Sequence, residues 1–362
     1  MSKYKLLDVH LKDYGNPLIP VLYWDAVPLT PNGEKTVYET REAIKAILDG
    51  RDTRNRKIVV VGPCSVHEEE SVKELVHKIE PRVKKHNDKL VYVIRQCYEK
   101  PRTRGTSWRG FIVDPNLNGK VNYHEGYTRA RQLLAYTVDL GVPVATEFID
   151  KDTPQIIGDA ISWAWIGARS VETNEYRGMV SGLSMPTGIK NSTSGNIMKA
   201  IDAIITAMHP DTFHALHPLG LTCPTPTDGN PHAHLVLRGG EDKGPNYEKE
   251  NVEEAQRMLI KEGLKPNVLV DCSHDNTRNQ DGEKKYEWQL IVGENVVRQM
   301  RDGNNNIIGI MIEAHLQGGS VKPEVLKSPD FDPKKFYGVS RTDPCISLDD
   351  AVRFLDEMYR SI

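Results

Sequence analysis

Eight short apolar runs in this chain each end at or near a side chain that can bind an ion. In chain order these residues are Cys64, Arg95, Glu147, Arg169, Lys190, Arg238, His274 and Glu313. Lys100 and Arg102 follow closely on Arg95, and Asp343 lies just ahead of the last helix-patterned stretch. A single arginine at such a place is ordinarily solvated or paired. Ion-binding groups at the ends of all the runs suggest one shared site, provided the ends converge. The set divides in two. Arg95, Lys100, Arg102, Arg169, Lys190 and Arg238 are cations, and their mutual repulsion would cost stability without anions to bind. They suit a ligand carrying phosphate and carboxylate oxygens, since arginine pairs with both groups through two hydrogen bonds. Cys64, His274, Glu313 and Asp343 offer sulfur, nitrogen and oxygen donors. That mixture suits a divalent transition ion such as Mn²⁺, Fe²⁺, Co²⁺ or Zn²⁺, and suits Mg²⁺ poorly because of the thiolate.

Cys64 has a rival role as a nucleophile, which needs an adjacent base and a lowered pKa. Nearby cations and His274 could supply both. The metal role ranks first, because the carboxylates at the other strand ends otherwise have no task. His67, close to the first strand end, reads as a packing or turn-orienting group.

The elements that must position these groups can be read from the pattern. The apolar runs are 57–65, 90–96, 142–148, 163–170, 185–191, 234–240, 267–274 and 306–315. Segments with helical spacing of apolar residues lie at 69–86, 126–141, 153–162, 195–209, 248–263, 286–303 and 348–361. Strand followed by helix, repeated in this way, predicts an α/β fold of the (β/α)8 TIM-barrel class, with helices outside and the site at the C-terminal strand edge. An open doubly wound sheet is the alternative, but eight units in this length fit closure better. The barrel is expected over residues 51–362. Residues 1–50, with a helix at 34–50, form an N-terminal extension that would serve assembly or regulation. The segment 106–126 is long for a connection, and long loops in compact folds are more often functional than idle.

Composition narrows the class further. The chain has 362 residues, 38% hydrophobic and 27% charged, with 47 basic against 50 acidic residues and a net charge of -3. That balance argues against nucleic-acid or anionic-membrane partners. No apolar stretch approaches the roughly 20 residues that span a bilayer, and the start "MSKYKLLDVHLKDYG" lacks a signal-peptide core. Five scattered cysteines without a CxxC pair predict a reduced, cytoplasmic protein.

The stretches "VVGPCSVH", "EKPRT", "SGLSMPTGIKN", "VDCSHDN" and "GIMIEAH" resemble the microbial class I 3-deoxy-D-arabino-heptulosonate 7-phosphate (DAHP) synthases, in that family's order, from about residue 15 to the C-terminus. The resemblance implies a metal-dependent barrel that condenses phosphoenolpyruvate with erythrose 4-phosphate, the first shikimate step. It implies metal ligation by Cys64, His274, Glu313 and Asp343. Phosphoenolpyruvate contacts would fall on Arg95, Lys100, Arg169, Lys190 and Arg238, with backbone from Gly167 and Ala168. The aldose phosphate would meet Lys100, Arg102 and Thr103. Lys100 or a metal-bound water would protonate the new alkoxide, with Cys64 and His274 in the catalytic set and Glu147 positioning substrate or water. An aromatic amino acid effector and a homodimer or homotetramer are further implications. Departures at "RGTSWRG", "IKNSTSG" and 214–234 leave another aldose phosphate as the alternative acceptor, and a non-catalytic regulator as a further one.

Overall fold

Each of the expected runs forms a parallel strand, for a common reason: a strand covered on both faces needs nearly continuous apolar residues. The computed structural model describes residues 6–101, 108–279, 282–326, 328 and 332–362. Its strands are β1 (Lys57–Gly62), β2 (Leu90–Arg95), β3 (Val144–Glu147), β4 (Trp163–Ile166), β5 (Thr187–Lys190), β6 (Asp211–Leu216), β7 (Thr222–Thr227), β8 (Ala233–Leu237), β9 (Val268–Asp271), β10 (Ile307–His315) and β11 (Ile346–Ser347). Neighbours pair in parallel in the order β1-β2-β3-β4-β5-β8-β9-β10, and β10 pairs back onto β1 with Val59 opposite Ile310. This is a closed (β/α)8 barrel. Alternate residues divide between its two faces: Trp163 and Trp165 of β4 join Val60, Val93 and Met311 in the interior, while Ala164 and Ile166 pack on the helical layer.

The helices are α1 (Pro20–Ala26), α2 (Pro31–Asp49), α3 (Glu69–Lys85), α4 (Tyr123–Asp139), α5 (Thr153–Ile157), α6 (Asn174–Ser181), α7 (Met198–Met208), α8 (Lys249–Lys261), α9 (Gln289–Arg301), α10 (Pro323–Leu326) and α11 (Leu348–Ser361). Among the described residues no helix is long and apolar enough to cross a membrane. Two features escape the sequence pattern. Helix α6 buries four consecutive residues, Gly178 to Ser181, so it lacks a 3.6-residue stripe. The antiparallel ribbon β6–β7 contains Pro224 and Pro226, which argue against a strand unless it is an edge, and both strands of a two-stranded ribbon are edges.

Helix α2 carries its own boundary signals. Thr30 Oγ1 accepts from the Gly33 amide at 3.0 Å, Pro31 occupies the first turn, and Gly50 closes the helix at φ 70°. Its Ile44 and Leu48 are buried against Ile58, Val91, Leu269 and Ile308, so the helix closes the N-terminal end of the barrel. Asn267 Nδ2 secures this floor by donating to the Leu48 carbonyl at 2.8 Å. Ile44→Ala is expected to lower stability by about 2–5 kcal/mol, read as a shift in urea midpoint at unchanged slope. A loss below about 1 kcal/mol would mean that the barrel does not depend on this floor.

Candidate active site

The turn after β1 is dictated by crowding. At Gly62 (φ 152°) a Cβ would sit 2.5 Å from the Arg95 carbonyl oxygen. Arg95 Nε donates to the Pro63 carbonyl at 3.1 Å, which holds the turn and leaves Cys64 buried at the barrel mouth. Ser65 and Thr342 hydroxyls meet at 2.8 Å, tying this turn to the loop that carries Asp343. Sγ of Cys64 and one oxygen each of Glu313 and Asp343 all lie within 4.8 Å of one another. Glu313 is set in place at both backbone atoms: Gln289 Oε1 accepts from its amide at 2.8 Å, and Gln289 Nε2 donates to its carbonyl at 3.1 Å.

His274 approaches the same group from β9. It has a left-handed backbone, φ 58°, a strained conformation for a residue with a Cβ that clusters at functional sites. Its Nδ1 lies 2.9 Å from Asp271 Oδ2 and 2.6 Å from Ser273 Oγ, while Nε2 stands 4.0 Å from Glu313 Oε1. One ring nitrogen is therefore engaged and the other faces the acidic cluster, as a metal-binding histidine requires.

Electrostatics at the cluster favour a cation. Burial, with the Glu313 charge beside it, pushes the Cys64 thiol up to about 12 against the opposing pull of Lys100. Lys100 Nζ donates to Cys64 Sγ at 2.9 Å. Burial opposes its charge, but the neighbouring thiols hold the ammonium above its ordinary range. Arg95 Nη2 comes within 2.7 Å of Glu313 Oε1, yet that buried oxygen accepts no hydrogen bond of good geometry among the described residues. A soft sulfur and two carboxylates, one with an unsatisfied buried oxygen, form a possible ligand group for a metal ion, with the His274 imidazole beside it but outside the group of three.

The cations converge beside this cluster, but their repulsion is already relieved by the chain itself. Lys190 pairs with Asp271 at 2.7 Å, Arg95 with Glu313, and Arg238 with Asp275. Asp275 also receives Arg278 at 2.7 Å and Lys284 at 2.9 Å. Asp271 and Asp275 are not singled out by the sequence, although both stand in the "VDCSHD" stretch, where the strand end points to His274. Burial opposes ionisation of Asp271, but His274 and Lys190 hold it well below the usual carboxylate range. Arg169 is exposed and has no ion pair among the described residues, which leaves its charge free for a ligand. Gly167 has a packing reason of its own: a Cβ there would fall 2.2 Å from Glu147 Oε1, so Glu147 and the Gly167-Ala168-Arg169 segment share one wall. Arg102 and Thr103 lie outside the described residues. His67 is buried edge-on to His315 at 5.4 Å and kept neutral, its pKa lowered to about 3 by burial. Cys345, given no role by sequence, receives the Cys64 amide at its sulfur at 3.4 Å.

Comparison with known proteins places the chain in a family. The sequence model of the DAHP synthetase I family matches residues 33–355. The chain is 38% identical over 362 residues to the Tyr-sensitive phospho-2-dehydro-3-deoxyheptonate aldolase of Escherichia coli K12, covering 100% of this chain and 98% of that protein. It is 37% identical over 359 residues to the Phe-sensitive protein of the same bacterium, covering 99% and 98%. Against the Trp-sensitive protein of Buchnera aphidicola it is 40% identical over 334 residues, covering 92% and 91%. The solved phospho-2-dehydro-3-deoxyheptonate aldolase of Francisella tularensis superposes with a TM-score of 0.90 at 34% identity, covering 97% of this chain and 98% of that one.

Proposed function

The chain belongs to the DAHP synthetase I family, and from that premise we infer how its mouth residues perform the condensation. It joins phosphoenolpyruvate to erythrose 4-phosphate, giving DAHP and inorganic phosphate. C3 of phosphoenolpyruvate bonds to the aldehyde carbon, water adds at C2, and the C2–O bond to phosphate breaks. The match over residues 33–355 carries this reading.

Phosphoenolpyruvate is bound by Arg95, Arg169, Lys190 and Arg238, with the Gly167-Ala168 backbone alongside. The supporting observation is that three of these cations stand on buried carboxylates that fix their positions, while Arg169 has no ion pair among the described residues. Charged groups held rigid in a water-poor cleft do not have to reorganise as the reaction proceeds. Lys100, an ammonium beside Cys64, would give a proton to the oxygen of the former aldehyde. Glu147 backs the Gly167 wall and orients substrate or water. Cys64, His274, Glu313 and Asp343 would hold a divalent transition cation, which supplies Lewis acidity toward the acceptor's aldehyde. Arg102 and Thr103 complete the acceptor side by family likeness. The relatives' Tyr, Phe and Trp sensitivities extend by the same likeness to an aromatic effector here. The exposed Leu6, Leu7, Val9 and Leu11 support an assembly role for residues 1–50 in a homodimer or homotetramer.

The test is phosphate release from phosphoenolpyruvate with erythrose 4-phosphate, run with EDTA and then with added Mn²⁺. Turnover lost to EDTA and restored by Mn²⁺ is expected. Turnover with arabinose 5-phosphate in place of erythrose 4-phosphate would move the acceptor assignment instead.

A further inference from the structure

Trp165 lies one layer below the mouth, fully buried in the barrel interior. Its ring carries two cations: the Arg95 guanidinium carbon is 4.7 Å from the ring centroid and Lys190 Nζ is 5.5 Å from it. Both cations belong to the proposed phosphoenolpyruvate clamp, and each reaches its carboxylate from over this ring. Trp163, its neighbour two residues earlier, donates its indole N–H to His234 at 3.2 Å. The Trp165 N–H is buried and has no acceptor among the described residues. A buried indole normally finds one, so this side chain is placed for its face and not for a hydrogen bond. Room for the tryptophan layer is made by Gly188, which stands in register with Trp165, because a Cβ there would meet Trp163 Cζ2 at 2.5 Å.

We propose that Trp165 is a positioning residue for the phosphoenolpyruvate site: its π face seats Arg95 and Lys190 side by side and holds both charges at the spacing that a carboxylate and a phosphate require. The face of an aromatic ring carries negative electrostatic potential, and its attraction for a cation is strongest where water is excluded. An aliphatic side chain lacks that attraction, and leucine, smaller than an indole, also leaves part of the space empty. The two cations would then separate, and each would collapse fully onto its own carboxylate. The inference rests on the clamp proposed above, so the test has to fail separately from it.

Binding of phosphoenolpyruvate alone is measured first on the unaltered protein, by its effect on tryptophan emission. No binding there would remove the clamp itself, and with it this proposal. With binding established, Trp165→Leu is expected to raise KM for phosphoenolpyruvate about tenfold while kcat changes less than about twofold. Trp165→Phe, which keeps a ring face, should stay within about threefold of the original KM. Leu within twofold of the original, or Phe as weak as Leu, overturns the proposal. Trp165→Phe also serves if the leucine variant does not fold. The emission change on adding phosphoenolpyruvate should fall to less than half in this variant, and an undiminished change would assign the signal to another tryptophan and overturn the seat.

Discussion

Cys64→Ala is expected to lower turnover by about a thousandfold or more while leaving the barrel folded. The thiol is the one soft donor in a group that otherwise offers nitrogen and oxygen, and it lies within 4.8 Å of the Glu313 and Asp343 carboxylates. Removing it leaves two carboxylates facing each other with fewer cationic partners, since Lys100 loses the sulfur it approaches at 2.9 Å. The lost volume is small and the strand is not touched, so the thermal midpoint should fall by only a few degrees. Phosphate release and metal content after dialysis are measured together. Both should collapse in the alanine variant. Cys64→Ser, which replaces the soft donor with a hard one, should retain carboxylate-preferring Mn²⁺ better than Zn²⁺. Full activity of the metal-stripped alanine variant would remove Cys64 from the donor set.

Asp271→Asn should be the most damaging change outside the ligands themselves. Asp271 is fully buried at the end of β9, and its carboxylate meets Lys190 at 2.7 Å and His274 Nδ1 at 2.9 Å. The amide keeps the shape but not the charge. Lys190 is then a buried ammonium without its counter-charge, a defect that typically costs about 3–5 kcal/mol. His274 Nδ1 keeps Ser273 Oγ at 2.6 Å but loses its charged partner, and disturbing such a supporting contact typically reduces metal affinity or activity about 10–100-fold. The stability term has a definite pH sign. Asp271 is depressed in the folded state, so its contribution is fully present above the ordinary aspartate value of about 3.9 and is lost as pH falls through its folded value. The gap in urea midpoint between the two proteins should stay constant from pH 8 to pH 5, about a unit above that value, and narrow only below it. An equal gap at low and neutral pH would show that the charge on Asp271 contributes nothing to stability.

These two predictions also mark how far reading the sequence reaches. Cys64 is legible because the chain breaks sharply from three valines into Gly62 and Pro63, and such a break at a strand end announces a side chain held for use. Asp271 is not legible in that way. A carboxylate next to "CSHD" has several possible partners, and only barrel closure brings β5 and β9 to either side of β8 so that Lys190 reaches it.

The same distinction runs through the molecule. Local information determined the eight strands, most of the helices between them and the ion-binding side chains at the C-terminal ends, because burial on two faces writes itself into consecutive residues. It also announced α2, expected over 34–50 and found at Pro31–Asp49. It did not reveal the β6–β7 ribbon, whose prolines are tolerated only because both strands are edges. Nor did it reveal that Ile44 and Leu48 face a barrel floor, that Cys345 touches the Cys64 turn, or that Trp165 lies beneath two cations. Those facts depend on register and closure, which bring together residues tens to hundreds of positions apart. The sequence alone therefore determined which groups stand at the mouth, and the tertiary structure decided which charge answers which, because a charge's partner is whatever lies a few ångströms away and chain order does not record that distance.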